Sequence, residues 1–92
     1  MTPPPVTIPI DGVLDLHTFR PDEVKSLLNE YFNECINRGI FSVRVIHGKG
    51  TGVLKKKVWA ALAAHPRVET YGQAPPSAGG WGATIVSLLP PE

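Results

Sequence analysis

The sequence predicts an α/β domain, a two-layer sandwich of two helices and four strands in the order β-α-β-α-β-β. Two stretches carry the apolar stripe of an amphipathic helix, and four shorter stretches have the β-branched or alternating character of strands. The first two strands flank a helix, as in a right-handed parallel β-α-β unit. With 92 residues, the chain is long enough for one compact domain with a modest core.

The first strand is predicted over residues 13–17, where polar and apolar side chains alternate. Leu14 and Leu16 fall on one face, and Asp15 and His17 fall on the other. This alternation is typical of a half-buried strand, with the leucines directed to the core.

The first helix is predicted to begin at Pro21, because proline suits the first helical position, and to end at Gly39. Its apolar residues recur at the spacing of one helical face. They are Val24, Leu27, Leu28, Tyr31, Phe32, Cys35 and Ile36. Residues 41–46 then form a second strand, which we expect to run parallel to the first.

The second helix follows a glycine-rich segment and ends at His65-Pro66. Its apolar side is formed by Leu54, Val58, Ala61 and Leu62, with Lys55, Lys56 and Lys57 mostly on the opposite side. Residues 67–71 and 83–89 are the last two strands. A loop rich in proline and glycine, residues 72–82, joins them and is too long for a tight hairpin.

Residues 1–9 are interpreted as a proline-rich tail and residues 10–90 as the domain. No stretch approaches the ~20 apolar residues of a membrane span, and the first residues do not resemble a signal peptide. We therefore expect a cytoplasmic monomer without membrane contact. The single cysteine, Cys35, excludes an internal disulfide and is interpreted as a core residue.

The formal charge is distributed unevenly along the chain. Residues 1–34 carry six acids and two bases, a net charge of −4, whereas residues 35–92 carry seven bases and two acids, a net charge of +5. Five of those bases lie between Arg44 and Lys57 with no acid among them. This run favours a polyanionic partner, although a solvated helix face would have the same composition.

Two segments are expected to meet at one edge of the sheet, where the parallel strands end: Asp15 to His17, and the loop of residues 47–52. Alternating glycines let the backbone approach an anion, the following helix adds a partial positive charge, and Lys49 adds a full one. The loop therefore predicts phosphate binding, and a side chain at Gly50 is expected to crowd it. A tight strand-to-helix turn is the alternative.

The histidines are candidates for proton transfer. A histidine side chain is suited to act as a general base or acid, so His17 is the candidate for that role, while Asp15 could orient it, position a water or bind a metal. Alternatively, both residues are hydrogen-bonding groups that cap the first helix. His47 either transfers protons or fixes the glycine loop through a ring hydrogen bond.

Two motifs carry a resemblance to a known family. Leu14-Asp-Leu-His17 and His47-Gly-Lys-Gly-Thr-Gly52 resemble the LDLH(G) and HGxGxG signatures of the Smr (small MutS-related) domain. The segments 39–47 and 79–86, with Pro66, also resemble that family, so the similarity covers about residues 10–90. Thr18 stands where a glycine commonly follows LDLH. Because threonine, unlike glycine, does not easily adopt a positive φ, a negative φ is expected at this position.

The resemblance implies a four-stranded mixed sheet with two helices. It also implies nucleic-acid binding and, for several members, endonuclease activity on RNA or DNA. Asp15 and His17 become the expected catalytic pair, with His47 as a further catalytic candidate. The expected substrate-binding residues are Gly48, Lys49, Gly50, Thr51, Gly52, Lys55 and Lys56. Ribosomes or DNA-repair proteins are the partners that the resemblance suggests.

We therefore predict an endonuclease that cleaves phosphodiester bonds by acid–base chemistry of His17 and Asp15. The main alternative is a non-catalytic adaptor that binds nucleic acid or ribosomes. A site for a small phosphorylated metabolite would need an enclosed pocket, of which the sequence gives no sign. Because Asp15 is the one carboxylate expected near the site, no metal ligand set is predicted, and a requirement for Mg²⁺ or Mn²⁺ stays open.

Overall fold

The structure, a computed structural model, describes residues 10–50 and 52–91. Four strands and two α-helices follow one another in the predicted order. They are β1 (Val13–Asp15), α1 (Val24–Asn37), β2 (Ser42–Ile46), α2 (Val53–Ala64), β3 (Val68–Gln73) and β4 (Ala83–Leu88). The predicted α/β class, with two helices and a four-stranded mixed sheet, is confirmed. The proline-rich tail assigned to residues 1–9 lies outside the described residues.

The sheet has the strand order β1-β2-β4-β3. β1 and β2 run parallel, as predicted, whereas β4 is antiparallel to both of its neighbours. Ile46 is therefore the partner of Asp15 on one side and of Ala83 on the other. This central position of β2 places the loop that follows it between the end of β1 and the start of β4.

The core lies between the sheet and the two helices, which pack against each other. Alternate residues of the central strands, such as Val43 and Val45, point toward the helices because successive strand side chains face opposite ways. The predicted stripe of α1 is buried at five of its seven positions and half-buried at Leu27 and Ile36. Cys35 is a buried free thiol of this core, as interpreted from the sequence.

β1 is two residues shorter than predicted. The carboxylate of Asp15 accepts a hydrogen bond from the backbone N–H of His17, and the carbonyl of Leu16 accepts one from the N–H of Phe19. These bonds turn the chain away from the sheet after Leu16. A short 3₁₀ turn, Pro21–Glu23, then leads into α1, so the α-helix proper begins three residues after the predicted start.

The predicted loop of residues 72–82 is mostly ordered structure. β3 continues to Gln73, which pairs with Thr84, and the segments Pro76–Ala78 and Gly80–Gly82 are 3₁₀ turns. The carbonyl of Pro75 accepts hydrogen bonds from the N–H groups of Ala78 and Gly80. Composition rich in proline and glycine indicated a loop, but backbone pairing with β4 and local hydrogen bonds order it.

None of the helices within residues 10–50 and 52–91 has the length and apolar character needed to cross a membrane.

Candidate active site

The turn after β1 joins Asp15 and His17 through two hydrogen bonds. Oδ1 of Asp15 accepts one from the backbone N–H of His17, 3.0 Å away, and another from Nδ1 of the same imidazole. When Nδ1 carries the proton, Nε2 of His17 keeps its lone pair for another molecule. The His17 and Asp15 side chains are 57% and 49% exposed, so this pair is open to solvent and to a ligand.

The pKa of Asp15 is lowered from its ordinary value. Partial burial by itself would raise this pKa, but the side-chain and backbone hydrogen bonds from His17 and the charge of its ring outweigh that effect. Asp15 is therefore a carboxylate at neutral pH. A carboxylate that holds Nδ1–H of an imidazole orients the ring and stabilises its protonated form.

The start of the loop after β2 is held by hydrogen bonds to Gly82, the residue just before β4. The backbone N–H groups of His47 and Gly48 both donate to the carbonyl of Gly82, at 2.9 and 3.0 Å. Gly48 has a φ of 80°, in the left-handed region that L side chains rarely adopt. This conformation redirects the chain from the strand toward the start of α2. Thr51, predicted as a substrate-binding residue, lies outside the described residues.

His17 and the glycine loop come together, as their positions at the carboxyl ends of β1 and β2 predict. A Cβ built on Gly48 would lie 3.5 Å from Cβ of His17. Beside this contact is a cleft of about 450 Å³. Its lining residues are His17, Phe19, Pro21, His47, Gly48, Lys49, Gly50, Gly52, Val53 and Leu54.

His47 is 4% exposed, and both of its ring nitrogens are hydrogen-bonded. The carbonyl of Gly48, 3.1 Å from Nδ1, can only accept, so the proton of the neutral His47 ring is on Nδ1, and Nε2 accepts from the hydroxyl of Thr84 at 2.9 Å. Thr84 Oγ1 in turn accepts from Nε1 of Trp59. These bonds fit the loop-fixing alternative for His47 and leave its ring no lone pair for a substrate.

Burial lowers the pKa of His47, and the positive charge of Lys55 lowers it further, against a backbone hydrogen bond that raises it. Burial also lowers the pKa of His65. Both imidazoles are thus held neutral in the folded chain, whereas the unfolded chain takes up protons near pH 6.5.

We expect the free energy of unfolding to decrease as the pH falls from 7.5 to about 5, because the unfolded state then binds more protons than the folded state. Urea unfolding of the parent at both pH values measures this. A His47→Asn variant should be less stable at pH 7.5 but should lose less stability on acidification. Leu89→Ala, at an exposed position just beyond the end of β4, should keep the parent's pH dependence. Equal stability of the parent at both pH values would contradict the prediction.

The expectation that a side chain at Gly50 crowds the loop is wrong. Among the described residues, no atom beyond its chain neighbours lies within 4 Å of a Cβ built on Gly50, and its φ is outside the left-handed region. In contrast to Gly50, Gly48 requires glycine because of its positive φ, as Gly52 at the end of the loop does. Sequence spacing treats Gly48 and Gly50 alike, and backbone conformation separates them.

Gly48→Ala is therefore expected to lower the free energy of unfolding by about 1–2 kcal/mol, the cost of placing an L residue in the left-handed region. Gly50→Ala, the matched control, should change it by less than about 0.5 kcal/mol. Chemical denaturation of both variants gives the comparison. Equal destabilisation by the two substitutions would show that the loop conformation described for Gly48 is not the one populated in solution.

The predicted basic residues do not all have the same surroundings. Lys49 is exposed on the loop, and its Cγ is 3.4 Å from a Cβ built on Gly82. Lys55 is half-buried on α2, with its Nζ 3.9 Å from the ring centre of Trp81 and 5.4 Å from that of Trp59. Lys56 is exposed, one position farther along the helix.

Three residues near the site received no role from the sequence: Trp81, Gly82 and Thr84. The carbonyl of Gly82 holds the loop, Thr84 holds His47, and Trp81 contacts Lys55. They lie 29 to 32 positions after the end of the loop at Gly52. The motif of residues 79–86 was visible in the sequence. Its place beside the loop depends on the pairing of β4 with β2, which cannot be read from the order of the strands along the chain.

Within residues 10–50 and 52–91, no three histidine, cysteine, aspartate or glutamate side chains converge as a metal cluster. Asp15 is the one carboxylate of the site in this part of the chain, and its Oδ1 already accepts two hydrogen bonds. These ligands do not form the set of several oxygens that Mg²⁺ or Mn²⁺ requires from a protein alone.

The family model of the Smr domain matches residues 14–89. Endonuclease MutS2 of Lactobacillus acidophilus is 41% identical over 75 residues, which is 82% of this chain and 10% of that protein. Endonuclease MutS2 of Helicobacter pylori is 39% identical over 90 residues, which is 94% of this chain and 12% of that protein. The chain thus spans about a tenth of the length of these relatives.

Two solved structures have the same fold. The crystal structure of the Smr domain of Thermus thermophilus MutS2 has a TM-score of 0.82 and 35% identity, over 87% of this chain and 100% of that one. YdaL, a stand-alone small MutS-related protein from Escherichia coli, has a TM-score of 0.80 and 26% identity, over 91% of this chain and 69% of that one. The similarity therefore includes both helices and all four strands.

Proposed function

The chain belongs to the Smr domain family, and from this premise we propose that it binds nucleic acid in the cleft beside His17 and cleaves a phosphodiester bond there. The family membership agrees with the resemblance of the two motifs. The endonuclease names belong to relatives of which this chain spans about a tenth, so cleavage by this chain is the proposal rather than the premise.

One observation carries the proposal: an imidazole oriented by a carboxylate lies next to a glycine loop at a helix N-terminus. Asp15 accepts a hydrogen bond from Nδ1 of His17, and Gly48 lies so close to the same histidine that a Cβ built on it would be 3.5 Å from Cβ of His17. A phosphate bound at the loop would then have a general base within reach, which is the geometry that phosphodiester cleavage requires.

In the proposed reaction, Nε2 of His17 removes a proton from a water or from a ribose 2′-OH as that oxygen attacks the phosphorus. The bond from phosphorus to the leaving oxygen breaks, and the leaving oxygen takes up a proton from solvent, to which the site is open. Asp15 stabilises the imidazolium that results. Among the described residues that line the cleft, His17 is the one exposed histidine, because His47 is buried and hydrogen-bonded at both nitrogens. His47 is therefore proposed as a positioning residue for the loop.

The phosphate is proposed to bind backbone N–H groups. Those of His47 and Gly48 are committed to the carbonyl of Gly82, so they are not the donors. Within the described residues, the N–H groups of Lys49 and Gly50 have no hydrogen-bond acceptor, so they can donate to a phosphate. The N–H groups in the first turn of α2, after Gly52, are further donors at the cleft. Thr51 remains a candidate from the sequence.

The cationic side chains are proposed to neutralise phosphate charge. Lys49 lies in the loop and lines the cleft, and Lys55 acts from the first turn of α2. Lys56 is exposed on the same turn and is proposed to contact a neighbouring phosphate. Each phosphate contact makes the affinity depend on salt, with log K falling by roughly 0.7 to 0.9 per contact for each log unit of salt.

A second function, a non-catalytic adaptor for nucleic acid or ribosomes, is favoured by one observation. The cleft presents His17 as a base, but within the described residues it presents no second acid to protonate the leaving oxygen. An adaptor would use the same loop amides and lysines without the proton transfer. DNA-repair proteins or ribosomal components are the partner classes consistent with either function.

The proposal is tested by incubating the parent chain with end-labelled RNA and DNA, single-stranded and duplex, each with Mg²⁺, with Mn²⁺ and with EDTA. Products on a denaturing gel, together with salt-dependent binding, are the expected result. End-group analysis then distinguishes attack by a ribose 2′-OH, which yields a cyclic phosphate, from attack by water. Binding without cleavage under every condition would assign the adaptor function instead.

A further inference from the structure

The side chain of Trp81 is unusual among the described residues because it is large, apolar and 65% exposed. It lies in the short 3₁₀ turn Gly80–Gly82, immediately before the carbonyl that holds the glycine loop. An exposed indole beside a nucleic-acid cleft has a ready use, because every nucleobase has a π face on which an aromatic ring can stack.

The backbone around Trp81 is fixed on both sides. The N–H of Gly80 donates to Pro75, the N–H of Gly82 donates to Gly79, and the carbonyl of Gly82 accepts from the loop. Gly79 has a φ of 111°, and a Cβ built there would lie 2.9 Å from Cβ of Ala83, so only glycine fits. The indole is therefore presented to solvent from an ordered turn, which reduces the entropic cost of binding a ligand on it.

The ring of Trp81 lies beside the positive charge of Lys55. Nζ of Lys55 lies 3.9 Å from the centre of the Trp81 ring, and Lys55 directly follows Val53 and Leu54, the two residues of α2 that line the cleft. No acidic residue occurs between Arg44 and Lys57 to attract a cationic partner. An aromatic ring paired with a cation suits a ligand that has both a flat π system and a phosphate.

We propose that Trp81 stacks on an unpaired nucleobase while Lys55 contacts the phosphate attached to it. This inference rests on the proposed function and adds to it the substrate class: a single strand, or an unpaired nucleotide in a loop or bulge, rather than a continuous duplex. Bases in a duplex are stacked on one another, so the faces that Trp81 would bind are covered. The ring thus selects for accessible bases independently of their sequence.

The test uses fluorescein-labelled single-stranded 12-mers of thymidine, the matching duplex, and an abasic 12-mer with the same phosphates. Trp81→Ala should weaken binding of the thymidine strand by about tenfold to hundredfold, the range for losing one or two stacked bases. The Trp81→Ala variant should bind the abasic strand with the same affinity as the parent. Trp81→Phe should retain most of the affinity, and Leu89→Ala, about 20 Å away along β4, should have no effect.

Indole fluorescence provides a second measurement. The thymidine strand should quench the emission of the parent but not that of Trp81→Phe, whose remaining Trp59 is half-buried and hydrogen-bonded to Thr84. If Trp81→Ala binds the thymidine strand as tightly as the parent does, the stacking inference is wrong but the proposed function stands. The exposed indole would then be assigned to contact with a protein partner. An equal loss on thymidine and abasic strands would also overturn the stacking inference. If the parent binds no strand, the proposed function itself fails.

Discussion

Replacing His17 with alanine is expected to slow strand cleavage by about 10²- to 10⁴-fold, the usual contribution of a general base. Binding should be nearly unchanged, because the proposed phosphate donors are the backbone N–H groups of Lys49 and Gly50 and the first turn of α2, none of which uses the imidazole. Single-turnover cleavage at saturating protein, with binding measured separately, distinguishes the two effects.

His17→Gln is the matched variant, since it keeps a polar side chain of similar reach but cannot take up a proton near neutral pH. It should cleave as poorly as His17→Ala. The imidazole is exposed, so neither substitution should change the stability of the fold appreciably, and unfolding curves provide that control. Cleavage at the parent's rate by His17→Ala would contradict the base assignment, and with it the enzymatic function.

Much of the fold follows from local patterns that the sequence displays. The stripe from Val24 to Ile36 predicted α1 because core-facing residues recur every three or four positions in a packed helix. The parallel pairing of β1 with β2 followed from the helix between them. Since carboxyl ends of parallel strands share an edge, these two elements were sufficient to predict that His17 would meet the glycine loop.

The missed features depend on contacts between distant segments. The insertion of β4 between β2 and β3 brings Gly82 to the loop and Thr84 to His47, and no local periodicity encodes that strand order. The pairing of Gln73 with Thr84 likewise extended β3 into a segment whose composition indicated a loop. Backbone φ values, which distinguish Gly48 from Gly50, also arise from these longer-range bonds.

Asp15→Asn is expected to slow cleavage by about 10- to 10³-fold, less than the about 10⁴-fold typical of a buried aspartate–histidine pair, because water partly screens this one. The asparagine oxygen can still accept the backbone N–H of His17, so the turn after β1 should persist. The same oxygen faces Nδ1, as Oδ1 of Asp15 does, so the ring keeps its orientation, but the neutral amide no longer stabilises the imidazolium that forms during the reaction.

Asp11→Asn is the matched control, because Asp11 makes the same kind of side-chain bond, to the backbone N–H of Val13, at the opposite end of β1. It should cleave at the parent's rate. Since Asp15 acts through His17, the double variant Asp15→Asn/His17→Ala should be no slower than His17→Ala alone. Additive losses of the cleavage rate would mean that Asp15 contributes independently of His17, for instance by holding a metal ion. In that case EDTA should slow cleavage by the parent but not cleavage by Asp15→Asn.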